Sequence, residues 1–309
     1  MNAPRAVDLF AGLGGLTTAA RQAGIDVVFA ANHWPEAVKW HSRNHAGAQH
    51  WTQDLHQCDW TRVPAHDWLL SAPSCQGHTP ARGKDQPRHD SARSTAWAVV
   101  SCAEVHLPRV LVVENVPELR NWRLYPVWRA ALEALGYGLT EVVSDAADHG
   151  VPQHRVRLFV VGVRDRAPLE ISLPKRPHVA VSSVIDLHAG RWSPVEKEGR
   201  SPHTLERVKA GRAAFGDAFV MPYYGSGSGL TGRSLERPLG TLTTRARWAI
   251  VRDDCMRMLS VDEARRVMGF PDDTQLPENI ALAHHLIGNA VSPPQGRDVL
   301  EAIRGALSA

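Results

Sequence analysis

Apolar positions in the first half of the chain follow two alternating rhythms. Short, nearly continuous apolar runs give way to stretches in which apolar residues return every three or four positions. RAVDLF, residues 5 to 10, reads as a buried strand leading into the glycine-rich turn AGLGGL. The helix that follows has Leu16, Ala19, Ala20 and Ala23 on its apolar face, and Gly24 ends it. DVVFAAN predicts a second strand, and Pro35 opens a helix running to about Asn44. HDWLLSA reads as a third strand, ARSTAWAVVSCAEVHL as a helix and RVLVVENV as the most apolar strand of all. LYPVWRAALEALG closes on Gly136 as another helix, and GLTEVVSDA and RVRLFVVGVR supply two further strands. Strands alternating with helices predict a mainly parallel sheet covered on both faces, so the class is α/β.

The rhythm breaks near Asp165. Residues 166 to 236 are rich in Pro, Gly, Ser and His and end in YYGSGSGLTGRS, so they read as a separate module or insertion. Beyond it, LSVDEARRVMGF predicts a helix with Ser260 as N-cap and Glu263 completing a capping box. A final helix follows GNAVSPPQ.

Composition narrows the class. A chain of 309 residues, 43% hydrophobic and 22% charged, has the make-up of an ordinary globular protein with a substantial core. No run reaches the roughly 18 apolar residues a membrane span needs, and MNAPRAVDLF lacks the apolar centre of a signal peptide. A cytoplasmic location without membrane contact is expected. The four cysteines are widely spaced with no CxxC pair, which fits reduced thiols and argues against a zinc site; no metal is expected. The net charge of +3 is too small to name a partner. Residues 82 to 93 carry four Lys/Arg against two Asp/Glu, and residues 166 to 236 carry ten against seven. Both stretches are also compatible with a solvated surface.

Three features carry candidate chemistry. The turn in DLFAGLGGL suits a nucleotide-like cofactor, because glycines let backbone N–H groups approach a ligand. It is neither GxGxxG nor a P-loop, so a tight turn without a ligand is the alternative. Glu114 ends the most apolar strand, where a carboxylate is costly to bury without a purpose. Cys75 follows the strand HDWLLSA and precedes a polar, basic loop. Taken singly, Cys75 could be a small buried hydrophobe and Glu114 a helix cap. Together at the carboxyl ends of neighbouring strands they suggest a nucleophile paired with an acid.

The order of DLFAGLGG, APSCQG, ENV, QHRVR and GNAV, from residue 8 to residue 291, resembles the DNA cytosine-C5 methyltransferases of prokaryotic and phage type. RPLGTLTTRAR and SVDEARRVMGFPDD resemble the later part of the same family. The resemblance implies transfer of a methyl group from S-adenosylmethionine to C5 of a cytosine flipped out of double-stranded DNA. Cys75 matches the thiolate that adds to C6, and Glu114 the acid that interacts with N3. Arg157 matches the residue that binds O2, with Arg155 near the nucleophile loop. Phe10 matches the aromatic on the adenine, Ala11, Gly12, Leu13 and Gly14 the backbone cradle, and Asp54 the acceptor of the adenine amino group. Pro73, Asn289 and Ala290 match residues that line the cofactor pocket. Gln76, Thr79, Arg82, Lys84 and Arg88 fall on the loop that closes over DNA, and Gln153 belongs to the substrate side. Tyr223 and Tyr224 are candidates for a loop entering a groove, with a core role for the tyrosines as the alternative.

The resemblance implies a Rossmann-like, S-adenosylmethionine-dependent methyltransferase fold, with a discontinuous catalytic domain over 1–165 and 250–309 and a small inserted target-recognition domain over 166–249. A monomer is expected, with a cognate restriction endonuclease as a further partner. The chain departs from the family pattern in three places. Ser74 stands where a second proline precedes the nucleophile, and His78 and Thr79 stand where Phe-Ser follows it. Asn32 replaces the glutamate that grips the ribose hydroxyls, so His33 or Trp34 is expected to assist there. The alternatives are tRNA cytosine-C5 methylation and a non-catalytic DNA-binding relative.

Overall fold

The computed structural model describes residues 3–74, 94–223 and 232–308, which form two compact units. The first comprises residues 1–145, 156–174 and 290–309; the second comprises 146–155 and 175–289. Their bounds differ from the expected division. Residues 250–289 join the second unit because the strands that open this stretch pair there, as described below.

The first unit is built on a seven-stranded sheet. Its strands are β1 (Arg5–Leu9), β2 (Asp26–Asn32), β3 (Gln49–Thr52), β4 (Trp68–Ser71), β5 (Val110–Asn115), β6 (Tyr137–Asp145) and β7 (Val156–Arg164), in the order β3-β2-β1-β4-β5-β7-β6. The first five run parallel, as the strand-helix alternation predicts. β7 and β6 join antiparallel, so one edge of the sheet is reversed. β3 was not expected: QHWT is short, only partly buried and lacks an apolar run.

Alternation along the strands separates two cores. Val7, Leu9, Leu69, Leu111 and Val113 face one side with the helices Trp97–His106 and Tyr125–Ala134. Ala6, Trp68, Leu70, Val110 and Val112 face the other with α1 (Gly15–Gln22) and the helix Pro293–Ser308. Gly296 of that last helix sits so close to Ala19 that a Cβ there would lie 3.0 Å from the Ala19 methyl. The carboxyl ends of β1, β2, β4 and β5 therefore fall along one edge of a doubly covered sheet, the usual ligand edge of open α/β folds.

The second unit holds an antiparallel sheet in the order β10-β9-β11-β12-β8, from β8 (Ser193–Pro194), β9 (Ala218–Pro222), β10 (Arg233–Ser234), β11 (Trp248–Arg252) and β12 (Cys255–Met258). The helix Pro202–Phe215 lies against β9. Its Gly211 permits that contact, since a Cβ would lie 2.1 Å from the Phe219 ring. The capping box expected at Ser260 is present at the start of the helix Val261–Met268. No helix among the described residues is long and apolar enough to cross a membrane.

Candidate active site

The site is clearest at the ends of β4 and β5. The Ser71–Val113 pairing places Ala72 and Pro73 alongside Glu114 and Asn115. Asn115, buried, donates from Nδ2 to the Pro73 carbonyl at 3.0 Å while its Oδ1 accepts the Val116 N–H at 2.9 Å. Ser74 N–H donates to the Thr95 hydroxyl at 3.2 Å. The chain leading to position 75 is thus pinned from β5 and from residue 95. Sequence reading assigned Asn115 no role; the only hint was a second polar residue after Glu114 at the end of an apolar strand.

Glu114 meets Arg157 across the antiparallel β5–β7 pair. Glu114 is opposite Phe159, so Arg157 is its diagonal neighbour on the same face. Arg157 Nε lies 2.9 Å from Glu114 Oε1, with the two side chains only 12% and 9% exposed. Arg157 Nη1 donates to the Val156 carbonyl at 2.8 Å, which fixes the guanidinium. A buried carboxyl group in contact with a guanidinium is held in a fixed orientation, and removing the guanidinium takes away a contact that offsets the cost of its burial.

Arg155 and Gln153 are both anchored within the second unit. Arg155 is buried and donates to the carbonyls of Leu242 at 3.2 Å and Gly288 at 3.0 Å. Gln153 is fully buried, donating to the Val267 carbonyl at 3.3 Å and accepting the Leu242 N–H at 2.7 Å. Its amide is engaged at both ends by backbone within the second unit. Tyr223 packs on the core cluster of Val208, Phe219 and Met221, the alternative reading of that residue. Cys75, Gln76, Thr79, Arg82, Lys84, Arg88 and Tyr224 lie outside the described residues.

The candidate cofactor positions gather at the ends of β1, β2 and β3. Phe10 and Gly12 turn the chain through φ of 59° and 56°, and Gly14 through 96°, conformations that strain any side-chain-bearing residue. The nearest neighbour of a Cβ on Gly12 would be the Phe10 carbonyl at 3.9 Å, so the turn is open at its crest. At its base it is closed: a Cβ on Gly14 would fall 2.3 Å from His45 Nε2, and one on Gly15 2.0 Å from the Val291 carbonyl. That second contact brings Val291 against the start of α1, and the neighbouring Ala290 is buried. Asn289 is the exposed last residue of the helix Ile280–Asn289.

Asn32 and Asp54 end this row. Asn32 Oδ1 accepts the Trp34 N–H at 3.0 Å, so the amide has its donor side left for a ligand. His33 is exposed beside it. Asp54 is exposed, and its Oδ1 accepts the His56 N–H at 3.0 Å. A half-buried aromatic, an open glycine turn and polar groups on two adjacent strand ends fit an adenosyl ligand carrying an amino-acid tail.

The comparisons with known proteins decide the family. The C-5 cytosine-specific DNA methylase family matches residues 5–183 and 209–305. The chain belongs to that family. The unmatched residues, 184–208, fall inside the stretch where the strand-helix rhythm fails. The Type II methyltransferase M.NlaX of Neisseria lactamica is 28% identical over 98% of this chain and 97% of its own length. Among solved structures, a DNA modification methyltransferase encoded within a prophage of E. coli superposes with a TM-score of 0.73. It is 19% identical over 99% of this chain and all of the other. A DNMT2 of Spodoptera frugiperda gives a TM-score of 0.72 at 16% identity, again over 99% of this chain and 100% of the other. Both likenesses show the fold. As a member of this family the protein is a DNA cytosine-C5 methyltransferase, and the family match favours that reading over RNA methylation or simple DNA binding.

Proposed function

We propose that the protein methylates cytosine in a specific double-stranded DNA sequence, using S-adenosylmethionine and a covalent adduct between Cys75 and cytosine C6. The observation that carries the mechanism is the buried Glu114–Arg157 pair, set beside a strand end that Asn115 holds. The cytosine enters this site flipped from the duplex, since its ring faces are inaccessible while stacked. The Cys75 thiolate adds to C6 as a proton from Glu114 reaches N3, leaving an enamine whose nucleophilic carbon is C5. Arg157 orients Glu114 and binds cytosine O2. Arg155, within the second unit, anchors the backbone around Leu242 and Gly288.

Bound along the ends of β1 to β3, S-adenosylmethionine supplies the electrophilic methyl group. Phe10 covers the adenine, the backbone of Ala11 to Gly14 cradles the amino-acid tail, and Asp54 accepts the adenine amino group. Asn32 and His33 face the ribose, while Pro73, Asn289 and Ala290 line the remaining wall. Once C5 has taken the methyl group and S-adenosylhomocysteine is left, loss of the C5 proton to a base, return of the N3 proton to Glu114 and expulsion of the thiolate would release 5-methylcytosine and the enzyme. The second unit is assigned target recognition, with a cognate restriction endonuclease as a partner outside the reaction, in keeping with the Type II relative.

Incubation with tritiated cofactor and unmethylated duplex DNA, transfer RNA or neither tests this reading. Label is expected in DNA alone. Label in RNA, or in no acceptor while the cofactor binds normally, would overturn it.

A further inference from the structure

Beneath the glycine turn runs a buried chain of polar groups that the methyl-transfer chemistry does not use. Asp8 on β1 is fully buried, and its Oδ2 accepts the Thr17 hydroxyl at 2.7 Å. Thr17 Oγ1 lies 3.0 Å from His41 Nε2, and His41 Nδ1 lies 2.8 Å from His50 Nε2. Thr17 and His41 are buried, whereas His50, on β3, is half-buried and marks the outer end of the chain. Asp8 Oδ1 has no hydrogen-bond partner among the described residues, so the ionised carboxylate is poorly solvated where it stands.

The donor inventory allows this chain two polarities. A hydroxyl has one hydrogen and a neutral imidazole one N–H. With Asp8 ionised, Thr17 donates to it, so His41 carries its proton on Nε2 and accepts at Nδ1 from His50 Nε2. With Asp8 protonated, the carboxyl donates to Thr17, Thr17 donates to His41 Nε2, and His41 donates from Nδ1 to His50. The interconversion is balanced: one proton taken up at His50 Nδ1, the ring nitrogen not turned to His41, is matched by one delivered to Asp8.

Position makes this matter. α1 has Gly14 as its N-cap and therefore no side-chain cap of its own. Asp8, on β1 two residues before Phe10, reaches the first turn of α1 through the Thr17 hydroxyl and so links the two ends of the turn. An ionised acceptor is favoured at a helix N-terminus, where N–H groups of the first turn converge.

We propose that Asp8, Thr17, His41 and His50 form a two-state hydrogen-bond relay of positioning residues that couples the glycine turn, and with it cofactor binding, to the charge on Asp8. The coupling rests on the reading that the cofactor binds at that turn. Burial pushes the Asp8 carboxyl up to about 7, which brings the switch into the neutral range. Burial and neighbouring positive groups push His41 well below its ordinary value, so it remains neutral and relays without holding charge.

The groups facing the chain are few. α1 contributes Arg21 and Thr18, and α2 (Pro35–Asn44) is followed at once by His45, whose ring centroid is 4.7 Å from that of His41. The remaining charges of α2 are engaged elsewhere, Glu36 with Lys39 and Arg43 over the Trp40 ring. β2 carries only Asp26, exposed at the opposite end of the sheet. On the far side of α1, Arg304 binds the Ala23 carbonyl.

The test pairs nitrogen-15 NMR of histidine-labelled protein with calorimetric titration of S-adenosylhomocysteine, from about pH 6 to pH 8. The His41 tautomer is expected to change from Nδ1–H to Nε2–H as pH rises. Affinity should increase about threefold or more over the same interval, and both changes should vanish in Asp8→Asn. Binding that is independent of pH, or a His41 tautomer constant across the range, overturns the relay. A tautomer change persisting in Asp8→Asn overturns it equally. The wild-type spectra decide the matter even if the variant fails to fold. Failure of S-adenosylhomocysteine to bind at any pH counts against the cofactor assignment, and the wild-type tautomer series then decides the relay alone.

Discussion

Arg157 Nε sits 2.9 Å from Glu114 Oε1, diagonally across the antiparallel β5–β7 pair. A mainly parallel sheet gains this contact only because its last two strands reverse, which turns the QHRVR strand back towards the carboxyl end of β5. The acid and the residue that holds it are thus fixed by sheet topology, independent of any loop.

Glu114→Gln should preserve shape and lower turnover by about a hundredfold to ten-thousandfold, because an amide cannot pass a proton to N3. Affinity for S-adenosylhomocysteine, measured by calorimetry, should stay within about threefold. An equal fall in both would place Glu114 in the cofactor site.

Arg157→Ala removes the guanidinium in contact with the buried Glu114 carboxyl group, which costs about 3–5 kcal/mol. Denaturant unfolding should show this loss at neutral pH, with partial recovery in the double variant Glu114→Gln/Arg157→Ala. A double variant no more stable than Arg157→Ala would mean the pair contributes little.

Asn115→Ala removes the side chain that, among the described residues, pins the Pro73 carbonyl, at about 1–3 kcal/mol. Turnover should fall more than stability accounts for, since the chain entering position 75 loses its anchor. Unchanged turnover at saturating DNA would assign Asn115 to folding alone.

Much of this arrangement was legible in the sequence, and the gaps have physical causes. β5 announced itself because a run as apolar as VLVV can only be a buried strand, and Glu114 stood out because it interrupts that run. The capping box at Ser260 and Glu263 is local chemistry, readable wherever it occurs. Asn115 and Asp8 were not assigned roles because their partners, Pro73 and Thr17, become neighbours only once the sheet forms. The burial of Gln153 was hidden for the same reason, because its backbone partners at Val267 and Leu242 are distant in sequence. The helix Pro202–Phe215 was hidden by Gly211, a residue that argues against helix locally and is required there by the Phe219 ring.

Acid stability provides a separate check. Burial pushes His45 and His66 down to about 4 and holds His41 below its ordinary range. The folded state then binds fewer protons than the unfolded chain, so stability is present above about pH 6.5 and is lost as pH falls towards 4. Asp8 acts in the opposite sense, its raised value costing stability as pH rises towards about 7. Chemical denaturation of His66→Gln should show a shallower acid slope than the wild type between about pH 6.5 and pH 4.

The most direct test of the account is a denaturation-resistant complex with duplex DNA in which 5-fluorocytosine replaces cytosine. Fluorine at C5 blocks the final loss of a proton, so a Cys75–C6 adduct formed in the presence of S-adenosylmethionine should persist through denaturing electrophoresis. It should map by peptide mass to Cys75 and be absent in Cys75→Ser. A complex mapping to another residue, or normal formation of 5-methylcytosine by Cys75→Ser, would contradict the mechanism.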